Sequence, residues 1–316
     1  MDRQLHKTYL RYNESSSRLS LWEKLVIGLA GTLLFPLYWL LAYVHKTPGL
    51  QFRGYFLRKG IQLTIRHGRL DTAYRLIVMP LDSFRYFEFD FMWHSIQKGK
   101  IARYLDVSSP RLFPLMVTDR SPDADVHFIN PDARDLAKTV ELAKDLGLEK
   151  RCTFHPELIS DVKFAPGSFA LITCMSVLEH IDDDKDAIAK FWELLAPGGR
   201  LLLTIPCANI AQEEYMNQDD YQLGAYRGEE FLFFQRFYDH ALLETQIYSI
   251  TGPPVRHQIY AEKVAGTYQQ NETQKREDKF FPAWRAPYDM GRHHEYKNDL
   301  AVMPGIGVIG LEFIKH

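Results

Sequence analysis

Glu179 and His180 are adjacent and follow closely on an apolar run, Phe169–Cys174 (FALITC). Histidine titrates near neutral pH, so His180 is the leading general-base candidate, and Glu179 is placed to orient it. The plainer alternatives are that His180 orders its loop by hydrogen bonding and that Glu179 is a solvated acid at a helix start. Tyr238, in RFYD, could face a substrate or pack in a core. His293 and His294 have Glu295 and Asp299 nearby. Adjacent side chains diverge on a regular element and no cysteine lies close, so no metal is expected there. Cys152, Cys174 and Cys207 are too few and too dispersed for a disulfide framework or a zinc cluster. Cys174 and Cys207 lie in apolar runs and read as small hydrophobes, a usage that fits a reducing compartment.

Elements must hold these groups in place. From Ala102 the chain alternates strand-like and helix-like segments: a short strand at Arg103–Val107, another at Val126–Asn130, and a helix from about Asp132 to Leu146 ended by Gly147. Phe169–Cys174 suits a strand buried on both faces. Asp184–Leu195 is amphipathic, with Ile188, Phe191, Trp192 and Leu195 on one stripe. Pro197-Gly198-Gly199 forms a turn before a strand at Arg200–Ile205, and GIGVIGLEFIKH closes the chain as a late strand at the sheet's edge or interior. This alternation predicts βαβ units and a mostly parallel sheet. Gln269–Asp278 reads as a solvated loop, and the aromatics Phe280, Phe281, Trp284 and Tyr288 beyond it could form a lid.

The N-terminal third differs. Leu25–Val44 carries no charge and would span roughly 30 Å as a helix, close to the hydrocarbon thickness of a bilayer. Pro36 is expected to kink it. Lys46, Arg53, Arg58, Lys59, Arg66 and Arg69 follow with no acid before Asp71, which places this side in the cytoplasm. The alternative is a buried core helix of a soluble protein. Residues 70–100 are rich in aromatics, among them Phe84, Tyr86, Phe87, Phe89, Phe91 and Trp93, read as core packing in preference to a substrate cap. The expected division is 1–70 membrane anchor and basic juxtamembrane segment, 71–100 aromatic helical lead-in, and 101–316 catalytic-type domain. With 46% apolar and 25% charged residues among 316, the composition is globular, and a formal net charge of -2 gives no pull towards nucleic acid.

Two segments, FAPGSFALITCMSVLEHIDDD (164–184) and LLAPGGRLLLTIP (194–206), resemble class I S-adenosylmethionine-dependent methyltransferases of the type 11 kind, and RFYDHALLETQI (236–247) and YLDV at the first strand add to the likeness. The resemblance implies a Rossmann-like α/β sheet with helices on both faces, S-adenosylmethionine as cofactor, and a ligand crevice at the carboxyl ends of the strands. It implies that Asp106, Ser108 and Ser109 approach the methionine part of the cofactor, that Asn130 or Asp132 meets the ribose, and that Asp161 or Glu157 lies on the adenine side. Cys174, Met175 and Ser176 would line the floor beside the methyl group, and His180, Glu179 and Tyr238 would face the acceptor. The chain departs from the family where Ser108 and Pro110 stand in glycine places, where Asn130 replaces an acid, and where Ala170 replaces an aspartate.

The resulting expectation is a membrane-attached methyltransferase acting on a lipid-linked or other membrane-resident small molecule. A second reading is a non-catalytic methyltransferase fold serving as scaffold or subunit of a membrane complex, with a partner protein. A third, another nucleotide-binding α/β enzyme such as a dehydrogenase, lacks a glycine-rich loop.

Overall fold

The computed structural model describes residues 5–11, 20–96, 101–219 and 230–316. A strand, β1 (His6–Leu10), precedes four helices: α1 (Leu21–Val44), α2 (Arg53–His67), α3 (Leu70–Val78) and α4 (Arg85–Ile96). The alternating part then runs β2 (Arg103–Val107), α5 (Leu112–Arg120), β3 (Asp125–Ile129), α6 (Ala133–Leu146), β4 (Cys152–His155), β5 (Phe169–Met175), α7 (Asp184–Leu194) and β6 (Leu195–Cys207). Two short strands follow, β7 (Gln212–Met216) and β8 (Leu232–Phe237). Next, α8 (His240–Leu242) continues through a π-helical stretch, Leu243–Tyr248, into α9 (Ser249–Thr251). The chain ends with β9 (Arg256–Glu262), α10 (Thr267–Glu277), α11 (Ala286–His293), β10 (His294–Lys297) and β11 (Gly307–Ile314).

The main sheet has eight strands in the order β4-β3-β2-β5-β6-β11-β9-β10. Strands β2 to β6 pair in parallel, whereas β11 is antiparallel to both β6 and β9. The late strand is therefore interior, and seven of its eight residues are buried. The chain order reverses between β2 and β5, which makes that junction the topological switch point. One apolar core joins α4, α5 and α6 to one face of the sheet; α7 and the π-helical stretch close the other. This is the expected Rossmann-like sheet with helices on both faces.

Local chemistry explains the element ends. Asp132 caps α6 by accepting from the Arg134 and Asp135 amides, and Gly147 ends it in the left-handed region. Ser20 and Glu23 form a reciprocal capping box at the start of α1. The segment read as a solvated loop is instead α10. The buried Glu262 carboxylate accepts from the Gly266 and Tyr268 amides and so caps a helix that has no apolar stripe of its own. Trp284 is buried, Phe281 and Tyr288 are half-buried, and Phe280 is exposed. The Trp284 and Tyr288 rings pack edge-on against Tyr38 of α1, a helix-docking contact in place of the expected lid over the crevice.

Pro36 does not break α1. One face of the helix lies on the folded body along its length. Lys279 pairs with Glu23 at 2.6 Å, the Tyr74 hydroxyl donates to Gly28 O at 3.2 Å, and Thr47, just past the helix, donates to Pro287 O at 2.8 Å. The opposite face exposes Trp22, Leu25, Leu29, Leu33, Leu37, Leu40 and Val44, a continuous apolar stripe. The helix is thus not a buried core element. The strand before it, β1, pairs in parallel with β7, and the segment after it packs on α11, so both flanks of α1 are held by the same body.

Candidate functional site at the carboxyl edge of the sheet

The β2–β5 junction brings together Asp106, Ser108, Ser109, Cys174 and Met175. Ser108 adopts φ 52°, the left-handed conformation that glycine takes most readily. Its amide donates to Ile129 O at 2.8 Å and its hydroxyl donates to the same oxygen at 3.1 Å, which holds the turn against β3. Serine can occupy this place because its hydroxyl bond offsets part of the left-handed strain. Ser109 Oγ accepts from the Met175 amide at 3.1 Å and ties the ends of β2 and β5 across the switch point.

Asp106 is buried beneath that loop. It accepts from Thr173 Oγ1 at 2.7 Å, from the Ser109 amide at 3.1 Å and from the Tyr104 hydroxyl at 3.3 Å. Burial pushes its carboxyl up to about 6, against the lowering effect of these donors. Cys174 and Met175 are fully buried, and burial raises the Cys174 thiol well above its ordinary value. On the next strand Asn130 donates to Asp135 at 3.1 Å and accepts from the Asp132 amide at 2.9 Å. Arg111 also pairs with Asp135. Asp132 caps α6 and pairs with Arg134 at 3.1 Å. Asp161 is exposed after β4 and accepts from Ser160 Oγ at 3.0 Å. Asp132 and Asp161 are thus engaged locally.

Beside the switch point a polar cluster is sunk into the same edge. Glu88, on α4, has no exposed surface. It accepts from Ser176, from Thr204 Oγ1 at 2.9 Å and from Arg85 at 2.5 Å. Ser176 has φ 46° and anchors its amide on Thr204 O at 2.8 Å, so the ends of β5 and β6 meet at this acid. Glu179 is buried nearby. Burial pushes its carboxyl up to about 8, with Glu88 adding to the rise and Arg85 opposing it. Its Oε2 atom has no hydrogen-bond partner. A buried acid of this kind is neutral near pH 7 and can donate a hydrogen bond or a proton.

His180 sits 3.9 Å from Glu179 Oε1, and its Nδ1 bonds Phe234 O at 2.6 Å. A carbonyl partner requires the proton on Nδ1, which leaves Nε2 as the acceptor in the neutral ring. Burial lowers its pKa to about 4, so His180 is a neutral, loop-ordering residue and a weak base. Tyr238 is closed off from solvent. It is fully buried and donates to Asp184 at 2.6 Å, beside the Arg236–Asp184 pair at 2.7 Å. Its ring lies in an apolar core cluster and its hydroxyl is engaged by that buried partner. Sequence reasoning missed Glu88 and Arg85. The available signal was an acid at helical spacing among Phe84, Phe87 and Phe91, on the face that α4 buries.

Residues 111–201 match a family described as a methyltransferase domain. That stretch is similar to a methyltransferase domain. The match begins immediately after the Asp106–Pro110 loop, the stretch that departs from the family pattern. A protein of uncharacterized function from Synechococcus sp. is 35% identical over 81 residues, which cover 26% of this chain and 19% of that protein. Among solved structures, the MccD protein aligns with a TM-score of 0.49 at 11% identity, covering 73% of this chain and 96% of its own. Geranyl diphosphate C-methyltransferase from Streptomyces coelicolor A3(2), in complex with Mg2+, a thiolodiphosphate analogue and S-adenosyl-L-homocysteine, aligns with 0.48 at 12% identity, covering 78% and 79%.

Proposed function

We propose that the protein is a membrane-attached S-adenosylmethionine-dependent methyltransferase acting on a lipid-linked or other membrane-resident small molecule. The observation that carries the reading is Ser108 at φ 52°, turning the chain at the switch point as a glycine would, directly above a buried acid. The orphaned Glu179 Oε2 beside it is the second point of fit, because a buried polar atom without a partner awaits one. S-adenosylmethionine would supply an electrophilic methyl group.

The chain's own residues do the rest. Asp106 and the Ser108–Ser109 turn would hold the cofactor's amino-acid end, and Asn130 would reach the ribose on release from Asp135. Cys174, Met175 and Ser176 would form the floor. Glu179 would donate a hydrogen bond to the acceptor when neutral, and its ionised fraction, its own proton already released to solvent, would take the acceptor's proton on methyl transfer. Glu88 would keep Arg85 and Ser176 in register, and His180 would order the loop. Alignment of the two reactants supplies most of the acceleration in such a displacement.

The exposed stripe of α1 supports attachment, and the basic run from Lys46 to Arg69 supports a cytoplasmic face. With both flanks of α1 on one body, the helix would lie in the plane of the interface and not cross the bilayer. A tethered enzyme meets membrane-resident acceptors at high effective concentration. One observation favours the alternative of a non-catalytic scaffold with a partner protein: Ser109 and Asn130 are both engaged in internal bonds.

Calorimetric titration of S-adenosylmethionine and S-adenosylhomocysteine into detergent-purified protein decides between them, with Asp106→Asn as control. Micromolar binding that weakens in the control supports the enzyme. Absence of heat and of any melting shift in a folded sample supports the scaffold.

A further inference from the structure

A second site lies away from the carboxyl edge. A concavity of about 470 Å³ opens between α2, α4 and α5, walled by Phe52, Tyr55, Trp93 and Met116, with Arg58 and Arg120 at its rim. That volume is within the range of small-molecule pockets. The position is set by the helices. Glu88 of α4 lies at the carboxyl edge, and Trp93 is farther along the same helix. Arg120 ends α5, whose nine residues carry the chain back roughly 13 Å towards the amino ends of the strands.

Charge and access give the concavity its chemistry. Arg58 and Arg120 are exposed, and neither forms an ion pair with a carboxylate among the described residues. Two acids lie close by: Asp119, paired with Lys59 at 2.9 Å, and Asp90, which accepts from Gln51 of the lining. The N-terminus of α2 opens into the space at Phe52 and Gly54. A 3-10 turn, Leu50–Phe52, runs directly into it, and the Phe52 and Arg53 amides donate to Gly49 O and Leu50 O. A Cβ on Gly54 would meet nothing within 4 Å, so the approach is open. Tyr55, part of the wall, turns its hydroxyl into the interior beside the Asp119 carboxylate.

The apolar surroundings favour a tailed anion over a free one. Leu57, Ile61 and Ile65 continue from the rim along α2 at helical spacing and are exposed. Arg53, the first residue of α2, stacks on Phe35 of α1 at 4.4 Å, so α2 and the apolar helix are neighbours. Two guanidiniums without a carboxylate partner among the described residues, and an aromatic wall beside an apolar strip, match a phosphate monoester carrying an acyl chain.

We infer that this concavity binds the phosphate headgroup of an anionic lipid, separately from the methyl-transfer site. The inference does not rest on the methyltransferase reading, since cofactor titration reports on the other edge of the sheet.

The test is sedimentation of the full-length protein with vesicles of phosphatidylcholine alone and of phosphatidylcholine mixed with phosphatidic acid. The ratio of the two affinities removes the contribution of α1. About 1 kcal/mol per cation at a lipid surface predicts that Arg58→Ala with Arg120→Ala lowers this ratio by about 30-fold. The control, Lys24→Ala with Arg66→Ala, removes two exposed cations outside the concavity and should lower it far less. An equal drop in both variants would show diffuse attraction and overturn the site. An unchanged ratio in the Arg58/Arg120 variant, with its melting temperature intact, overturns it as well. Glycerol 3-phosphate provides the other arm. Failure to compete assigns the site to the bilayer-borne headgroup; competition lost in the Arg58/Arg120 variant keeps the site and assigns it to a soluble phosphate ester.

Discussion

Glu179 makes the stability of this protein depend on pH in a window where little else titrates. Its carboxyl is pushed from an ordinary 4.5 to about 8 by burial. Between those values the folded protein keeps a proton that the unfolded chain has released, so stability falls as pH rises. Asp106, raised to about 6, acts in the same direction at lower pH. His180 and His294, each lowered to about 4 by burial, act oppositely below their ordinary 6.5, because there the unfolded chain binds protons that the fold excludes. The contributions oppose one another below pH 6.5, and from there to pH 8 Glu179 dominates. At about 1.4 kcal/mol per pH unit, the loss across that window is about 2 kcal/mol. Thermal unfolding in detergent at fixed ionic strength should record a fall of roughly 3 °C. Glu179→Gln, neutral throughout, should flatten the dependence and melt above the wild type at pH 8. A flat wild-type profile, or the same slope in Glu179→Gln, would refute the assignment of a protonated, buried Glu179.

Three further outcomes follow from the geometry. Glu88→Ala strips a buried acid from Arg85, Ser176 and Thr204 and should cost about 3 kcal/mol; adding Arg85→Ala should recover part of that in denaturant unfolding, whereas strict additivity would show that the pair is uncoupled. Ser108→Gly removes left-handed strain of about 1 kcal/mol and a hydroxyl bond of similar worth, so stability should barely move; the open turn should bind S-adenosylhomocysteine more tightly by calorimetry, and weaker binding would contradict the proposed approach of the cofactor. Gly31→Leu would place its Cβ 2.4 Å from the Tyr74 hydroxyl and 2.9 Å from the Trp284 ring. Overpacking of this kind costs about 1–3 kcal/mol, and an unchanged melting temperature would mean that α1 does not dock on the body.

Much of the sheet was legible because β2, β3, β5, β6 and β11 each have a one-dimensional signature, whereas β4, β9 and β10 were not read from the sequence. Arg103–Val107 is β2 to the residue, and Phe169–Cys174 needed only Met175 to complete β5. The helix after Asp132 is marked by its cap and its terminal glycine. What escaped depends on distant partners. α10 has no apolar periodicity, and its start is held by Glu262 across a turn. Tyr238 carries no local mark that tells a substrate-facing ring from one bonded to Asp184. At the site, the Ser108 and Asn130 departures were visible, but their consequences required the Ile129 and Asp135 contacts. Glu88 lay outside the stretch searched for chemistry, since only the packing of α4 against β6 brings it to Thr204.

The pairing of β1 with β7 fixes both flanks of α1 to one side of any bilayer that the helix meets. No polar segment then has to be carried through hydrocarbon for attachment or removed from it for release. Attachment of this kind is a partition equilibrium, not a permanent insertion. The fraction of protein on membranes would rise and fall with the amount and charge of accessible lipid, and the attached state would need no translocation machinery to form.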